Sequence, residues 1–325
     1  MYGTVVAVLR GGPSNEHEVS LKSGHAVIST LPEESYTVRD IFIDTQGVWH
    51  YRGLPVEPHA ALRSVDVALV MLHGAYGEDG EVQKTLERFG VPFVGSDSFA
   101  SFVSAHKVLA KEKAREHGIK TPRYRLIEVG GDVDTQIMDA VRSLFQPVIV
   151  KPVRAGSSRG VSIAGGYAAV QEAVHALLAE GNEAVLIEER IRGTEATVGI
   201  IEGMRGERLY ALPPIEIRPP EHIGFFSYEA KYDGISEEIC PGRFKKEVTK
   251  ELMDLARTMH DALGMRHYSR SDFIVAKDGI YLLETNNAAA VGMTKESLFP
   301  KSLAAVGIKF EDFLKHVIDL ALKRN

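Results

Sequence analysis

The chain has 325 residues, 44% of them hydrophobic and 25% charged, with a net charge of −6. That length supports two or three packed units, the composition is that of a soluble globular protein, and the acidic balance excludes the broad basic footprint of a nucleic-acid binder. A local basic pocket for phosphates stays possible. Cys240 is the only cysteine, so no internal disulfide or cysteine-based metal framework can form and a reducing compartment fits. The apolar run Val5–Leu9 is too short, and lacks the basic flank, for a signal peptide. No apolar stretch is long enough to span a membrane, so a cytoplasmic location is expected.

Residues 4–10 (TVVAVLR) read as a buried strand closed by Gly11-Gly12-Pro13. A helix follows over 16–31, with Ser14 or Asn15 as its cap. Strands at 36–43 and 65–72, a helix at 81–89 and a strand at 91–94 predict a parallel, doubly wound α/β first domain spanning 1–103. A charged helix over 104–117 opens an α+β unit of 104–183, with strands at 123–129, 147–151 and 161–163 and helices at 134–144 and 168–179. Strands then dominate, at 184–189, 195–202 and 207–213, followed by a long helix over 245–263. A hairpin of 273–276 and 280–284 around Lys277-Asp278-Gly279, and a last helix at 310–323, complete a third unit of 184–325.

The hairpin carries the first chemistry. Asp272 opens one strand and Glu284 closes its partner, so the turn brings both carboxylates to one end. Asn286 lies two residues on, and the alternation of a strand returns it to the same side. Two acids and an amide oxygen are hard ligands suited to Mg²⁺, although strand-end acids are also commonly just solvated. The loop 152–160 is rich in small residues whose amides could approach phosphate oxygens, with Lys151 ending the strand before it. No Gly-Lys pair makes a P-loop, and Gly11-Gly12 does not satisfy GxGxxG. Gly156-Ser157-Ser158-Arg159-Gly160 matches the GxSxG of serine hydrolases, but that motif needs a sharp turn into a helix and a strand is expected here. HGAYGEDG (73–80) follows a probable parallel strand at the sheet end where such folds bind ligands. Glu16, on the comparable loop, either meets a substrate ammonium or complements a helix dipole.

Taken in order, GGPSNEHEVSLKSG (11–24), HGAYGEDG (73–80), VPFVGS (91–96), PVIVKP (147–152), GSSRGV (156–161), LIEE (186–189), GTEATV (193–198), YEAKY (228–232), SRSDF (269–273), LLETN (282–286) and GMTKESLFP (292–300) resemble the D-alanine–D-alanine ligases of the ATP-grasp superfamily over the whole chain. The resemblance implies an N-terminal α/β domain and two α+β domains clasping ATP. It implies ATP contacts from Lys107, Lys151, Ser158, Glu188, Glu189, Ile191, Glu195 and Lys231. Asp272, Glu284 and Asn286 would hold Mg²⁺, as two ions by analogy, with Mn²⁺ as a substitute. Glu16, tied to Ser157 and Tyr232, would orient the first D-alanine near His73, and Arg270 would stabilise the oxyanion. Gly292, Ser297 and Leu298 would receive the second D-alanine. A closing loop from Pro219 to Tyr232, with Gly224 helping it move, and a homodimer are also implied. The reaction implied is synthesis of D-alanyl-D-alanine for peptidoglycan through an acyl phosphate, or its counterpart with another amino- or hydroxy-acid pair. Several positions depart from the pattern, among them Pro13, His106 and Ala155, and the largest departure is Asn287–Val291, which lacks a proline and runs about two residues long.

Overall fold

Val6–Leu9 have no exposed surface, as a strand covered on both faces requires. The computed structural model describes residues 3–154, 156, 160–219 and 236–323. In it β1 (Thr4–Gly11) pairs in parallel with β2 (Tyr36–Ile43) and β5 (Val67–Val70), and β5 with β6 (Phe93–Val94). β3 (Trp49–Tyr51) and β4 (Leu54–Pro55) add an antiparallel edge beyond β2. They are too short to show any alternation in the sequence. Helices α1 (His17–Thr30), α2 (Pro58–Ala61) and α3 (Glu81–Arg88) make the connections. Because β1 and β5 are parallel neighbours, the loops that follow them lie together, and Ser14 Oγ donates to the His73 carbonyl at 2.5 Å.

The helix expected over 104–117 is two helices, α4 (Ser98–Ala105) and α5 (Lys107–Glu116). His106 breaks them with an extended backbone of φ −92° and ψ 98°. The cause is tertiary. The break turns the Lys107 amide onto the Val153 carbonyl at 3.2 Å, and no glycine or proline announces it.

The second sheet contains β7 (Tyr124–Glu128), β8 (Val148–Pro152), β9 (Ser162–Ala164) and β10 (Ala184–Glu189), in the antiparallel order β7-β10-β8-β9. Helices α6 (Val133–Ser143) and α7 (Gly166–Ala179) bury Ile137, Val170 and Val174 against it. The third sheet runs β14 (Glu237–Ile239), β13 (Ile215–Arg218), β11 (Thr194–Glu202), β15 (Tyr268–Ala276), β16 (Gly279–Asn286), with β12 (Leu209–Ala211) added on β11. Helix α8 (Lys246–Ala262) packs Leu252, Ala256 and Met259 onto this sheet. After α9 (Leu298–Ala305), α10 (Phe310–Lys323) carries Phe313, Val317 and Ile318 back to Val6, Val8 and Leu69 of the first sheet. The C-terminal helix therefore closes the N-terminal core.

Candidate functional site

The β15–β16 hairpin is longer than its sequence suggested, so Asp272 and Glu284 lie within strands and face each other in register, with Arg270 opposite Asn286. A register shift between Asp272 and Phe273 re-aims the strand at this point. Asp272 is surrounded by donors. Arg270 reaches its two oxygens at 2.9 and 2.8 Å, Thr197 Oγ1 donates at 2.5 Å and Asn286 Nδ2 at 3.0 Å. Glu284 lies 3.8 Å from Lys107 Nζ. Asp272, Glu284 and Asn286 thus form one group of oxygen donors whose chemistry fits a hard divalent cation.

Between the second and third sheets lies a cavity of about 290 Å³. Its wall includes Lys107, Lys151, Glu188, Glu189, Ile191, Glu195, Asp272 and Glu284. Ile149, Ile217 and Leu283 give it apolar lining, while Lys107 and Lys151 supply positive charge. Leu298, expected beside a second substrate, stands in this same lining and packs with Ile215 and Ile217. Glu188 accepts from Lys151, whereas Glu189 pairs with Arg123 at 3.4 Å. The two neighbouring acids alternate across β10 and so have different environments.

A second cavity, of about 160 Å³, is lined by Gly74, Glu78, Lys107, Gly156, Glu284, Asn286 and Asn287 among others. Lys107 and Glu284 belong to both cavities, so the two meet at that pair. At this end Glu16, His73 and Glu78 bring their polar atoms within 4.8 Å of one another. Glu16 is buried, and a Cβ on Gly156 would stand 2.8 Å from its carboxylate oxygen, so glycine is what lets the loop pass so near. Burial, with the Glu16 charge beside it, pushes the Glu78 carboxyl up to about 8. Burial, with Arg270 adding to it, pulls His73 down to about 4, leaving a neutral ring whose Nε2 lies 2.9 Å from Ser23 Oγ. The two carboxyl groups make this corner suited to a cationic group.

Gly292 allows Ser297 Oγ to come within 2.7 Å of where its Cβ would be, and Ser297 Oγ accepts from the Thr294 amide at 3.2 Å. Ser157, Ser158, Lys231 and Tyr232, and the expected closing loop around Gly224, lie outside the described residues. Sequence reasoning passed over Thr197 and Lys111. Thr197 and Lys111 look like an ordinary strand threonine and a surface lysine until the fold buries them. Asn287 is fixed by donating to the Glu78 carbonyl at 2.8 Å and to Ser104 Oγ at 3.1 Å. The departing linker is therefore a short helical turn, Ala288–Ala290, in which Ala288 and Ala289 enter the hydrophobic cores next to the first sheet.

Family models for the D-ala D-ala ligase C-terminus and N-terminus match residues 114–319, and 5–59 with 52–96, respectively. The D-alanine–D-alanine ligase of Syntrophobacter fumaroxidans is 38% identical over 324 residues, covering 98% of this chain and 97% of that protein. Its counterpart from Geobacter sulfurreducens is 37% identical, covering 97% and 93%. Among solved structures, the VanG D-Ala:D-Ser ligase from Enterococcus faecalis superposes with a TM-score of 0.86 at 28% identity, covering 98% of this chain and 99% of that one. The Bacillus anthracis D-alanine–D-alanine ligase complexed with ATP gives 0.81 at 29%, covering 99% and 98%.

Proposed function

This chain belongs to the D-alanine–D-alanine ligase family, of ATP-grasp fold, and we propose that its two adjoining cavities divide the work of that ATP-dependent ligation. The larger cavity takes the nucleotide, and the smaller takes the two D-alanines that become D-alanyl-D-alanine for peptidoglycan. The observation that carries this division is the shared lining: Lys107 and Glu284 border both spaces, which is where a nucleotide's terminal phosphate and a substrate carboxylate would meet.

In this reading the first D-alanine sets its ammonium toward Glu16, near His73, and its carboxylate toward Lys107. The carboxylate attacks the γ-phosphate, giving an acyl phosphate and ADP. Lys107, Lys151 and Lys231 spread the phosphate charge, and the protein's main contribution is position. The amine of the second D-alanine, its carboxylate held by Ser297, then attacks the acyl carbon and expels phosphate. Arg270 leaves Asp272 to hold the oxyanion, with a backbone amide near Gly292. Around these the reading places Glu189, Ile191, Glu195 and the cavity-lining Leu298 by the nucleotide, Ser157 and Tyr232 linked to Glu16, and Ser158 at the phosphates.

Asp272, Glu284 and Asn286 would hold Mg²⁺, probed as one or two ions, and when bound it supplies charge neutralisation at the phosphates. Among the described residues no helix is long and apolar enough to cross a membrane, and a cytoplasmic homodimer belongs to the same reading. Purified protein with D-alanine, ATP and Mg²⁺ should release ADP and phosphate and form the dipeptide. Glu284→Gln should abolish turnover with an unchanged circular dichroism spectrum, and retained activity refutes the metal assignment. A second reading, with D-serine or a hydroxy acid in the second position, is favoured by the departing linker, because Asn287 and Ala290 line the smaller cavity. Product formation from D-alanine with D-serine or D-lactate, in preference to D-alanine alone, would establish it.

A further inference from the structure

Lys111 lies one helical turn beyond Lys107 on α5, with 1% of its surface exposed. Its Nζ is 2.9 Å from Glu188 Oε2 and donates to Thr121 Oγ1 at 2.8 Å. The other Glu188 oxygen accepts from Lys151. Lys151 and Glu188 both line the larger cavity, and Lys111 does not. One carboxylate is therefore shared by two lysines, one on the cavity side and one in the protein interior.

We propose that Lys111 is a positioning residue which keeps Glu188 paired from behind, so that Lys151 is free to turn its charge onto the phosphates of a bound nucleotide. This rests on the nucleotide reading of the larger cavity given above. A buried carboxylate with a single lysine partner holds that lysine tightly, because separating them leaves an uncompensated charge in a dry environment. With a second lysine already in place, departure of the first leaves a paired carboxylate instead. Two lysines and one glutamate also leave one positive charge in excess, and only Lys151 can present it to the cavity. Burial draws Lys111 down to about 8, with the Glu188 charge working to keep it protonated. Burial alone would raise Glu188, but the two lysine charges prevail and hold its carboxyl below the usual range.

The test compares binding of ADP with Mg²⁺ against binding of adenosine, by calorimetry on the full chain. The variants are Lys111→Met, Lys111→Gln and the double variant Lys111→Met with Glu188→Gln. Lys111→Gln keeps hydrogen-bonding capacity toward Thr121 and Glu188, and so covers the case in which Lys111→Met does not fold. In the single variants ADP affinity should fall roughly ten- to a hundredfold, the worth of a charged hydrogen bond, with adenosine affinity unchanged. The double variant should regain most of the loss, because Lys151 is no longer held by a charge. Unchanged ADP affinity, an equal loss for adenosine and ADP, or no recovery in the double variant overturns the proposal. Wild-type protein that binds neither ligand refutes the nucleotide reading itself, and the proposal with it.

Discussion

Replacing Asn287 by alanine tests whether the departing linker is a structural tie. The side chain is 2% exposed, donates to the Glu78 carbonyl at 2.8 Å and to Ser104 Oγ at 3.1 Å, and accepts from the Ala289 amide at 3.1 Å. Truncation deletes three hydrogen bonds and strips a buried carbonyl of this donor. At roughly 1 kcal/mol net for each bond, and more for a buried group left unsatisfied, the loss is about 2 to 4 kcal/mol. A chain of this size loses about 2 °C of melting temperature per kcal/mol, so the midpoint should fall by about 4 to 8 °C. Thermal denaturation followed by circular dichroism at pH 7.5, at one scan rate for both proteins, measures it. A shift below about 1 °C would refute the reasoning, because it would mean that these bonds contribute nothing beyond what water supplies.

Three further outcomes are expected. Gly77→Ala should prevent stable folding of the 73–80 loop, since a Cβ there would lie 1.9 Å from the Leu72 carbonyl oxygen; a melting point equal to wild type would contradict the packing. Thr197→Val removes the 2.5 Å hydrogen bond to Asp272 and should raise the Mg²⁺ concentration for half-maximal activity by about tenfold, and an unchanged requirement counts against an outer-shell role. Glu78 has its folded-state pKa raised to about 8, so the folded protein holds a proton that the unfolded chain has released. Its contribution to stability is complete below the unfolded pKa of about 4.3 and is lost as pH rises through the folded value. Glu78→Gln should therefore gain on wild type in melting temperature between pH 6 and pH 8.5 (about two pH steps), and parallel profiles would show the carboxyl to be ionised throughout.

Much of this site is legible in the sequence because its chemistry depends on residue type and spacing. Strand alternation groups Asp272, Glu284 and Asn286 in the sequence, and the hairpin pairs Asp272 directly with Glu284. Lys151 before a small-residue loop, and acids on the loops after β1 and β5, are likewise readable. What escaped depends on distant contacts. The break at His106 comes from the Val153 carbonyl, which no local signal encodes. Lys111 sits in KVLAKEKARE, a run so charged that only tertiary packing distinguishes the buried lysines from the exposed ones. The linker after Asn286 looked like an irregularity, and its buried alanines show it to be part of the core.

The wall shared by the two cavities also bears on inhibition. Spaces of about 290 and 160 Å³ that share Lys107 and Glu284 as lining lie close enough for one compound built to reach from one into the other. Such a compound would place a tetrahedral anion at the junction and an amine in the acidic corner by Glu16. It would gain the affinity of two ligands while losing overall motion only once. Its potency would come from the charged pair at the junction and its selectivity from contacts on the Asn287 side.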